Sequence, residues 1–138
     1  MKHILKKKIQ DCMTTDVVSV TSSTTLAAFR ELLIEHDFES FPVLDEKGEY
    51  VGTANKLDFL LIFEPSHGPG PFPDLTAAAA TTVGEIARYR TYCLSPDDQV
   101  SDAVKLMLDK HICMIPVVKK KKLVGIIAVH DLLQETQL

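Results

Sequence analysis

The feature that most constrains the fold of this 138-residue chain is an internal repeat. The first half contains FPVLDEKGEYVGTANKLDFL and the second half contains IPVVKKKKLVGIIAVHDLL. Pro42 corresponds to Pro116 at an offset of 74 residues. Asp58 corresponds to Asp131 at an offset of 73, so one residue is lost in the polar segment between these positions. The repeat predicts two copies of one supersecondary unit.

The sequence pattern predicts the same order of elements in both copies: a short helical turn, an extended run, an amphipathic helix, a hairpin and a closing helix. Apolar residues recur at helical spacing, at Leu26, Phe29, Leu32 and Leu33 and again at Val100, Ala103, Leu106 and Met107. Helix start signals precede them at Ser22-Ser23 and Ser95-Pro96-Asp97, and Thr82 and Glu85 have capping-box spacing. The β-rich runs VVSV and TYCL predict short strands.

Four consecutive lysines, Lys119 to Lys122, separate two apolar runs in the second copy. The first copy has DEKGE at this place, which has the same turn character but contains three acidic residues. Two apolar runs around a short polar segment indicate a hairpin. The lysines are therefore predicted to form a solvated hairpin tip, and not a site for phosphate.

Composition limits the classes of partner. The chain is 46% hydrophobic, which is typical of a globular protein with a core, and its formal charge of −4 argues against nucleic acid as a partner. The apolar runs are shorter than the roughly 20 residues that cross a bilayer, so no membrane insertion is expected. The N-terminal MKHILKKKIQDC lacks the apolar stretch of a signal peptide. Three cysteines without Cys-x-x-Cys spacing predict reduced thiols and a cytoplasmic location.

Motifs for catalysis and for metal binding are missing from the sequence. It has no phosphate-binding glycine loop, no GxSxG motif and no HExxH motif. His111 and Cys113 have a spacing that suits two zinc ligands, but two ligands do not make a zinc site. We therefore expect neither an enzyme nor a metal site.

The ordered motifs resemble the cystathionine-β-synthase (CBS) domain, present as a tandem pair. They are DVVSVTSSTTL and YCLSPDDQV at the start of the copies, FPVLDEKGEYVG and IPVVKKKKLVG in the middle, and GTANKLDFL and GIIAVHDLL at the end. The resemblance implies an α+β fold of two β-α-β-β-α repeats, packed with pseudo-twofold symmetry into one module. It places repeat 1 at residues 7–63, a linker at 64–79 and repeat 2 at 80–136.

The function implied by the resemblance is regulatory. Such pairs bind AMP, ADP, ATP or S-adenosylmethionine in the clefts between their repeats, commonly form homodimers, and sense cellular energy on behalf of a partner enzyme or transporter. No other cofactor is implied. The alternative is a module that dimerises or docks on a partner without any nucleotide. Its contact face would be the apolar closing helices, which carry Phe59, Leu60, Leu61, Phe63, Leu132 and Leu133.

Two aspartates are the candidate ribose ligands. Asp58 and Asp131 each follow a strand near the start of the closing helix, where a carboxylate can accept hydrogen bonds from ribose hydroxyls. The alternative is that each aspartate only caps its helix. In the family a Ser or Thr three residues earlier also contacts the ligand. Here those positions hold Asn55, which keeps polar atoms, and Ala128, which does not.

Other ligand contacts are implied for the two extended runs. Val18 and Tyr92 could pack on an adenine face, Thr21 and Ser95 offer hydroxyls, and Ser19 and Cys93 lie between them. The alternative is that these are ordinary core or sheet residues. For phosphate, the family often has Arg or His just before the motif proline, but this chain has Glu39-Ser40 and Cys113-Met114 there. Lys110 and His111 are the possible phosphate contacts. A less anionic ligand, S-adenosylmethionine or adenosine, suits the acidic side near Glu39.

Overall fold

The computed structural model describes residues 2–63, 81–89 and 91–137, which form two compact units. One unit consists of Val18–Thr91 and the other combines Met1–Val17 with Tyr92–Leu138. We name them the Asp58 unit and the Asp131 unit after the aspartate that each contains. The predicted linker 64–79 lies outside the described residues. The repeat boundaries 7–63 and 80–136 stay a prediction, because the compact units are divided at other points of the chain.

The predicted α+β fold class is confirmed. In chain order the elements are α1 (Lys2–Lys6), β1 (Val20–Thr21), α2 (Leu26–Glu35), β2 (Ser40–Leu44), β3 (Tyr50–Asn55), α3 (Lys56–Phe59), α4 (Val83–Ile86), β4 (Arg88–Tyr89), α5 (Val100–Lys110), β5 (Met114–Lys119), β6 (Lys122–Ala128) and α6 (Val129–Glu135). Two 3₁₀ turns, at Ile9–Asp11 and Leu60–Phe63, complete the described elements.

The Asp58 unit is built on a four-stranded sheet in the order β1-β2-β3-β4. β1 is parallel to β2, and the other two pairs are antiparallel. One face of α2 packs against the sheet and buries Leu26 and Phe29. The buried apolar core comprises Val20, Leu26, Phe29, Phe41, Val43, Ala54, Val83 and Ile86. The unit therefore has a hydrophobic core of its own.

The Asp131 unit is built on the antiparallel hairpin of β5 and β6. Isolated bridges add Thr14 beside Ile126 and Leu94 beside Val117. The buried apolar core comprises Ile4, Ile9, Val100, Ala103, Met107, Ile115, Val117 and Ile127. Its members come from both ends of the chain, so the N-terminal segment is part of this core.

Both central helices are confirmed and begin shortly after their predicted start signals, but the capping residues are different ones. Thr25 caps α2, where its hydroxyl oxygen accepts a hydrogen bond from the Ala28 backbone N–H at 3.2 Å. α5 begins after Gln99, whose backbone N–H donates to Asp102 Oδ2 at 3.0 Å. The Thr82 side chain makes no cap hydrogen bond at α4. At α2 and α5 the predicted polar residues thus lie in the preceding turn, and the cap lies further along the chain.

The predicted strands VVSV and TYCL are wrong in most of their length. In the first run only Val20 is in a strand, which continues to Thr21 beside Val43 and Leu44. In the second run only Leu94 forms an isolated bridge, with Val117. Extended β-branched sequence becomes a strand only where a neighbouring backbone completes the ladder, and over most of both runs no partner lies within the described chain.

Both predicted hairpins are confirmed, and the lysine run lies at the tip of the second. Lys119 pairs with Lys122, while Lys120 and Lys121 form the two-residue connection with φ of 51° and 67°. Positive φ at both central residues is the requirement of a type I′ turn. The tip of the first hairpin has Gly48 at φ 77°, and Asp45 Oδ1 accepts a backbone hydrogen bond from Lys47 at 2.9 Å.

The segment that leads into each copy packs in the unit formed by the other copy. In the Asp131 unit, Ile9 is fully buried and its backbone N–H donates to Asp98 O at 2.8 Å. In the Asp58 unit the repeat-equivalent residue is Val83, which is also fully buried, and its N–H donates to Thr24 O at 2.7 Å. We call these two leading segments, Ile9 to Thr14 and Val83 to Arg88, the exchanged segments. They bring Thr14 to Asp131 and Arg88 to Asp58.

Candidate functional site

Asp58 lies at the third position of α3 and is buried. Its Oδ2 accepts a hydrogen bond from the Asn55 backbone N–H at 2.8 Å. Its Oδ1 accepts one from Arg88 Nε at 2.8 Å. Asp58 thus caps the first turn of α3 and also binds the side chain of Arg88 in β4.

Asp131 lies at the equivalent position of α6 and is also buried. Its Oδ2 accepts a hydrogen bond from the Ala128 backbone N–H at 2.8 Å, and its Oδ1 accepts one from the Thr14 hydroxyl at 2.7 Å. The two aspartates therefore make the same pair of contacts, one to a helix start and one to the exchanged segment. Among the described residues, every buried side-chain N or O atom has a hydrogen-bond partner.

The alternative that each aspartate caps its helix is correct for one carboxylate oxygen, Oδ2, of each residue. A carboxylate offers about four lone-pair positions, and two are used here on each aspartate. The remaining positions can accept further hydrogen bonds. Each carboxylate is thus fixed in place, which a ribose-binding group requires, and each keeps the capacity to accept two hydroxyl hydrogens.

Thr14 and Arg88 are contacts that the sequence reasoning missed. They occupy equivalent positions at the 74-residue offset, upstream of the extended runs VVSV and TYCL. The offset was a signal that could have paired them with each other. It could not have paired them with the aspartates, because each contacts the aspartate of the other copy.

Two glycines make room for the exchanged segments. A Cβ on Gly52 would lie 2.1 Å from Arg88 O, and a Cβ on Gly125 would lie 2.8 Å from Thr14 O. Both are closer than a real methyl group approaches, so a side chain at either place would displace the incoming backbone. The Val-Gly of each copy is therefore what lets Arg88 and Thr14 reach the aspartates.

The candidate residues around Asp58 have partners within the unit. The Ser40 hydroxyl donates to Asn55 Oδ1 at 2.8 Å, and the amide NH₂ of Asn55 has no partner among the described residues. Val18 is partly buried and packs against the core. Thr21 is exposed, and its hydroxyl lies 3.1 Å from both Ser23 Oγ and Thr24 Oγ1.

The candidate residues in the Asp131 unit include one direct contact between two of them. Lys110 Nζ lies 5.4 Å from the centroid of the Tyr92 ring, within cation–π range. His111 ends α5 in the left-handed conformation with φ 54°. The Ser95 backbone N–H donates to Asp98 Oδ2 at 2.7 Å, so Ser95 belongs to the turn before α5.

The predicted site residues are divided between the units. Val18, Ser19, Thr21, Asn55 and Asp58 belong to the Asp58 unit, and Tyr92, Cys93, Ser95, Lys110, His111 and Asp131 belong to the Asp131 unit. The structure brings Asn55 to Asp58 and Lys110 to Tyr92. The assignment of all of them to a ligand stays a prediction.

All three cysteines are free thiols. Burial raises the pKa of Cys12, and the Glu135 carboxylate adds to this, while Lys7 opposes it. Desolvation also raises the pKa of Cys93, with the Asp98 carboxylate adding to it. Both residues are therefore held as neutral thiols, which are poor nucleophiles.

The described part of the chain contains neither a cluster of metal ligands nor a membrane-spanning helix. No three His, Cys, Asp or Glu residues lie together as metal ligands there. Within the same residues no helix has the length and apolar character needed to cross a bilayer.

A family model for the CBS domain matches the chain twice, at residues 9–64 and 83–137. Among curated relatives, the protein MK0525 of Methanopyrus kandleri is 32% identical over 124 residues. The match covers 86% of this chain and 57% of that protein, so the chain spans little more than half of the relative's length.

Two solved structures are similar in fold. The structure of CBSX2 in complex with AMP has a TM-score of 0.77 and 23% identity, and the match covers 93% of this chain and 94% of that one. The structure of the CBS domain pair of protein MJ0100 with 5′-methylthioadenosine and S-adenosyl-L-methionine has a TM-score of 0.71 and 21% identity, covering 94% and 95%. With two matches that together cover most of its length, the chain belongs to the CBS domain family and carries the domain twice.

Proposed function

We propose that this protein is a regulatory, non-catalytic module of the cytoplasm that binds an adenosine-containing ligand through Asp58 and Asp131. The observation that carries the proposal is the matched environment of the two aspartates. Each is buried, each is fixed by two hydrogen bonds, and each keeps lone pairs that two ribose hydroxyls can use. A structural cap requires only one of these contacts.

The comparisons support the chemical class of the ligand. CBSX2 has been solved with AMP, and the domain pair of MJ0100 with 5′-methylthioadenosine and S-adenosyl-L-methionine. These ligands share adenine and ribose and differ in charge. An acidic side chain that accepts from ribose hydroxyls recognises the part that they share.

The other candidate residues have supporting roles in the proposal. Tyr92 is exposed and lies beside Lys110, so its ring can stack on adenine. The NH₂ of Asn55 is available to a ligand because it has no hydrogen-bond partner among the described residues. Val18, Ser19, Thr21, Cys93, Ser95 and His111 are proposed as further contacts on the strength of the resemblance alone.

A thermal-shift screen tests the proposal, with AMP, ADP, ATP, adenosine and S-adenosylmethionine each at millimolar concentration. A ligand at 100 times its dissociation constant stabilises the native state by about 2.7 kcal/mol, which raises the Tm of a chain of this size by roughly 5–10 °C. Asp58→Asn and Asp131→Asn are the matched variants, each compared with its own unliganded Tm. The absence of a shift with all five compounds would contradict the proposal.

A second function, association with another chain through the closing helices, is favoured by exposed apolar side chains. Leu57, Leu60 and Phe63 are exposed in the Asp58 unit, and Leu133 is exposed in the Asp131 unit. The expected contact face needs correction, because Phe59, Leu61 and Leu132 pack against the cores instead. Exposed apolar side chains of this kind suit contact with a second copy of the chain or with a regulated enzyme or transporter.

Sedimentation equilibrium tests this second function. Phe63→Glu should shift the mass towards the monomer, because it places a charge in the apolar face. Leu108→Glu is the matched control, since Leu108 is also apolar and exposed but lies on α5 in the Asp131 unit. A wild-type protein that is monomeric, or a dimer that Phe63→Glu leaves unchanged, would contradict dimerisation through this face.

A further inference from the structure

The two aspartates differ in one respect: the charge of the side chain that the exchanged segment brings to them. Asp58 receives the guanidinium of Arg88, whereas Asp131 receives the uncharged hydroxyl of Thr14. We infer that Arg88 determines ligand specificity, so that the Asp58 site selects a phosphorylated adenosine ligand and the Asp131 site an uncharged or cationic one. The inference rests on the function proposed above and names the ligand class of each site.

The geometry leaves most of the Arg88 donors available. Arg88 Nε lies 2.8 Å from Asp58 Oδ1, and the Asp58 side chain is 4% exposed while that of Arg88 is 58% exposed. A guanidinium has five N–H donors in a planar arrangement. Within residues 2–63, 81–89 and 91–137, Asp58 is the one side-chain partner found for Arg88. The N–H groups on Nη1 and Nη2 therefore remain for an anion beside the carboxylate.

The backbone holds Arg88 in this place. Arg88 pairs with Thr53 as β4 joins the edge of the sheet, and Gly52 allows the close approach. An arginine anchored by its Nε–H to a buried carboxylate loses little further rotational freedom when it binds an anion. Planar, pre-positioned guanidinium groups are well suited to phosphate.

The Asp58 and Asp131 sites differ in net charge. Asp58 with Arg88 has no net charge, whereas Asp131 with Thr14 keeps the full carboxylate charge. A guanidinium about 8 Å from a phosphate, at effective dielectric constants between about 20 and 80, raises the affinity by a factor of roughly 2 to 30 relative to the same site without it. The same phosphate near an uncompensated carboxylate loses a comparable factor.

Other charged groups in the two units do not cancel this difference. Lys56, beside Asp58 in α3, pairs with Asp37 at 3.5 Å. The Glu39 backbone oxygen accepts from the Lys56 N–H, which places the backbone of this acidic residue near the start of α3. Lys110 contacts Tyr92, and no ion pair to Asp131 is found in the part of the chain that the structure describes. Phosphate recognition, expected at Lys110 and His111, is therefore assigned to Arg88 at the Asp58 site.

Isothermal titration calorimetry with AMP and with adenosine tests the inference through the ratio of the two dissociation constants. Arg88→Gln keeps a donor for Asp58 but removes the charge, and Arg88→Lys keeps the charge. Wild type and Arg88→Lys should prefer AMP, while Arg88→Gln should lose that preference by roughly 2- to 30-fold, mainly through weaker AMP binding. Added NaCl should weaken AMP binding by wild type more than adenosine binding.

Lys56→Gln is the matched control, because it removes one positive charge from the same unit without touching Asp58. The ratio of its dissociation constants for AMP and adenosine should equal that of wild type. An Arg88→Gln ratio equal to wild type, an equal loss for both ligands, or tighter binding by Arg88→Gln would each overturn the inference while leaving the proposed function intact. If wild type binds neither AMP nor adenosine, the inference fails, and the proposed function fails as well only if ADP, ATP and S-adenosylmethionine also do not bind.

Discussion

The Thr14 hydroxyl donates to Asp131 Oδ1 at 2.7 Å, although 117 residues separate them in the chain. Arg88 and Asp58, 30 residues apart, make the equivalent contact. Both contacts exist because each leading segment packs in the unit of the other copy. Side chains from the two repeats therefore determine the surroundings of each carboxylate, and a change in one repeat alters the site of the other.

Replacing each aspartate by asparagine should affect stability unequally. Asp58→Asn leaves one acceptor oxygen for two fixed donors, Asn55 N–H and Arg88 Nε–H, and we expect a loss of about 1–3 kcal/mol. Asp131→Asn should cost less than about 1 kcal/mol, because the Thr14 hydroxyl can rotate and accept from the new amide. Urea unfolding of both variants measures the difference, and equal losses would contradict this account of the contacts.

Alanine at the motif glycines should destabilise the docking of the exchanged segments. A Cβ at Gly52 would lie 2.1 Å from the Arg88 backbone oxygen, so Gly52→Ala should lower the free energy of unfolding by about 3 kcal/mol. Gly125→Ala, with contacts at 2.8 Å, should cost less. Gly48→Asn is the control, because Gly48 has φ 77°, which asparagine tolerates. Chemical denaturation that shows Gly52→Ala as stable as Gly48→Asn would contradict the close approach.

The lysine turn should accept a better turn sequence without loss of function. Lys120 and Lys121 both have positive φ, which costs most L-residues about 1 kcal/mol each, Asn less, and glycine nothing. The double change Lys120→Asn and Lys121→Gly should therefore stabilise the protein by about 1 kcal/mol in urea unfolding. Ligand affinity should stay unchanged, because the tip is solvated. A large loss of affinity would show that the lysines belong to a binding site.

The thiols of Cys12 and Cys93 should react slowly at neutral pH. The pKa of each is raised, so the thiolate fraction at a given pH is lower than that of free cysteine. Alkylation by iodoacetamide, followed by mass spectrometry of the peptides, should be slower than for free cysteine at pH 7.5 and should accelerate at higher pH. Rates at pH 7.5 above that of free cysteine would contradict the burial and carboxylate effects.

The repeat allowed much of the fold to be predicted. Helical spacing located α2 and α5, and paired apolar runs located both hairpins, because each of these patterns is local. The extended runs were overestimated, since Val17 to Ser19 have no strand partner among the described residues. Strand formation depends on a neighbour that is distant in sequence, which local propensity does not report.

The candidate site was predictable only in part, for the same physical reason. Asp58 and Asp131 were identified from their place in the repeat, and both are fixed and buried. Thr14 and Arg88 were not identified, because their roles depend on which unit each leading segment joins. Ile9 and Val83 are both apolar at equivalent positions, so the pattern of hydrophobic residues does not indicate which unit each leading segment joins.

The most direct test of the account is calorimetric titration of the wild-type protein with adenosine and with 2′,3′-dideoxyadenosine. These compounds share the base and differ in the two ribose hydroxyls that Asp58 and Asp131 are proposed to bind. The account predicts at least about ten-fold weaker binding of the dideoxy compound, because each lost hydroxyl leaves a buried acceptor without its partner. Equal affinity for the two compounds would contradict recognition of the ribose by these carboxylates.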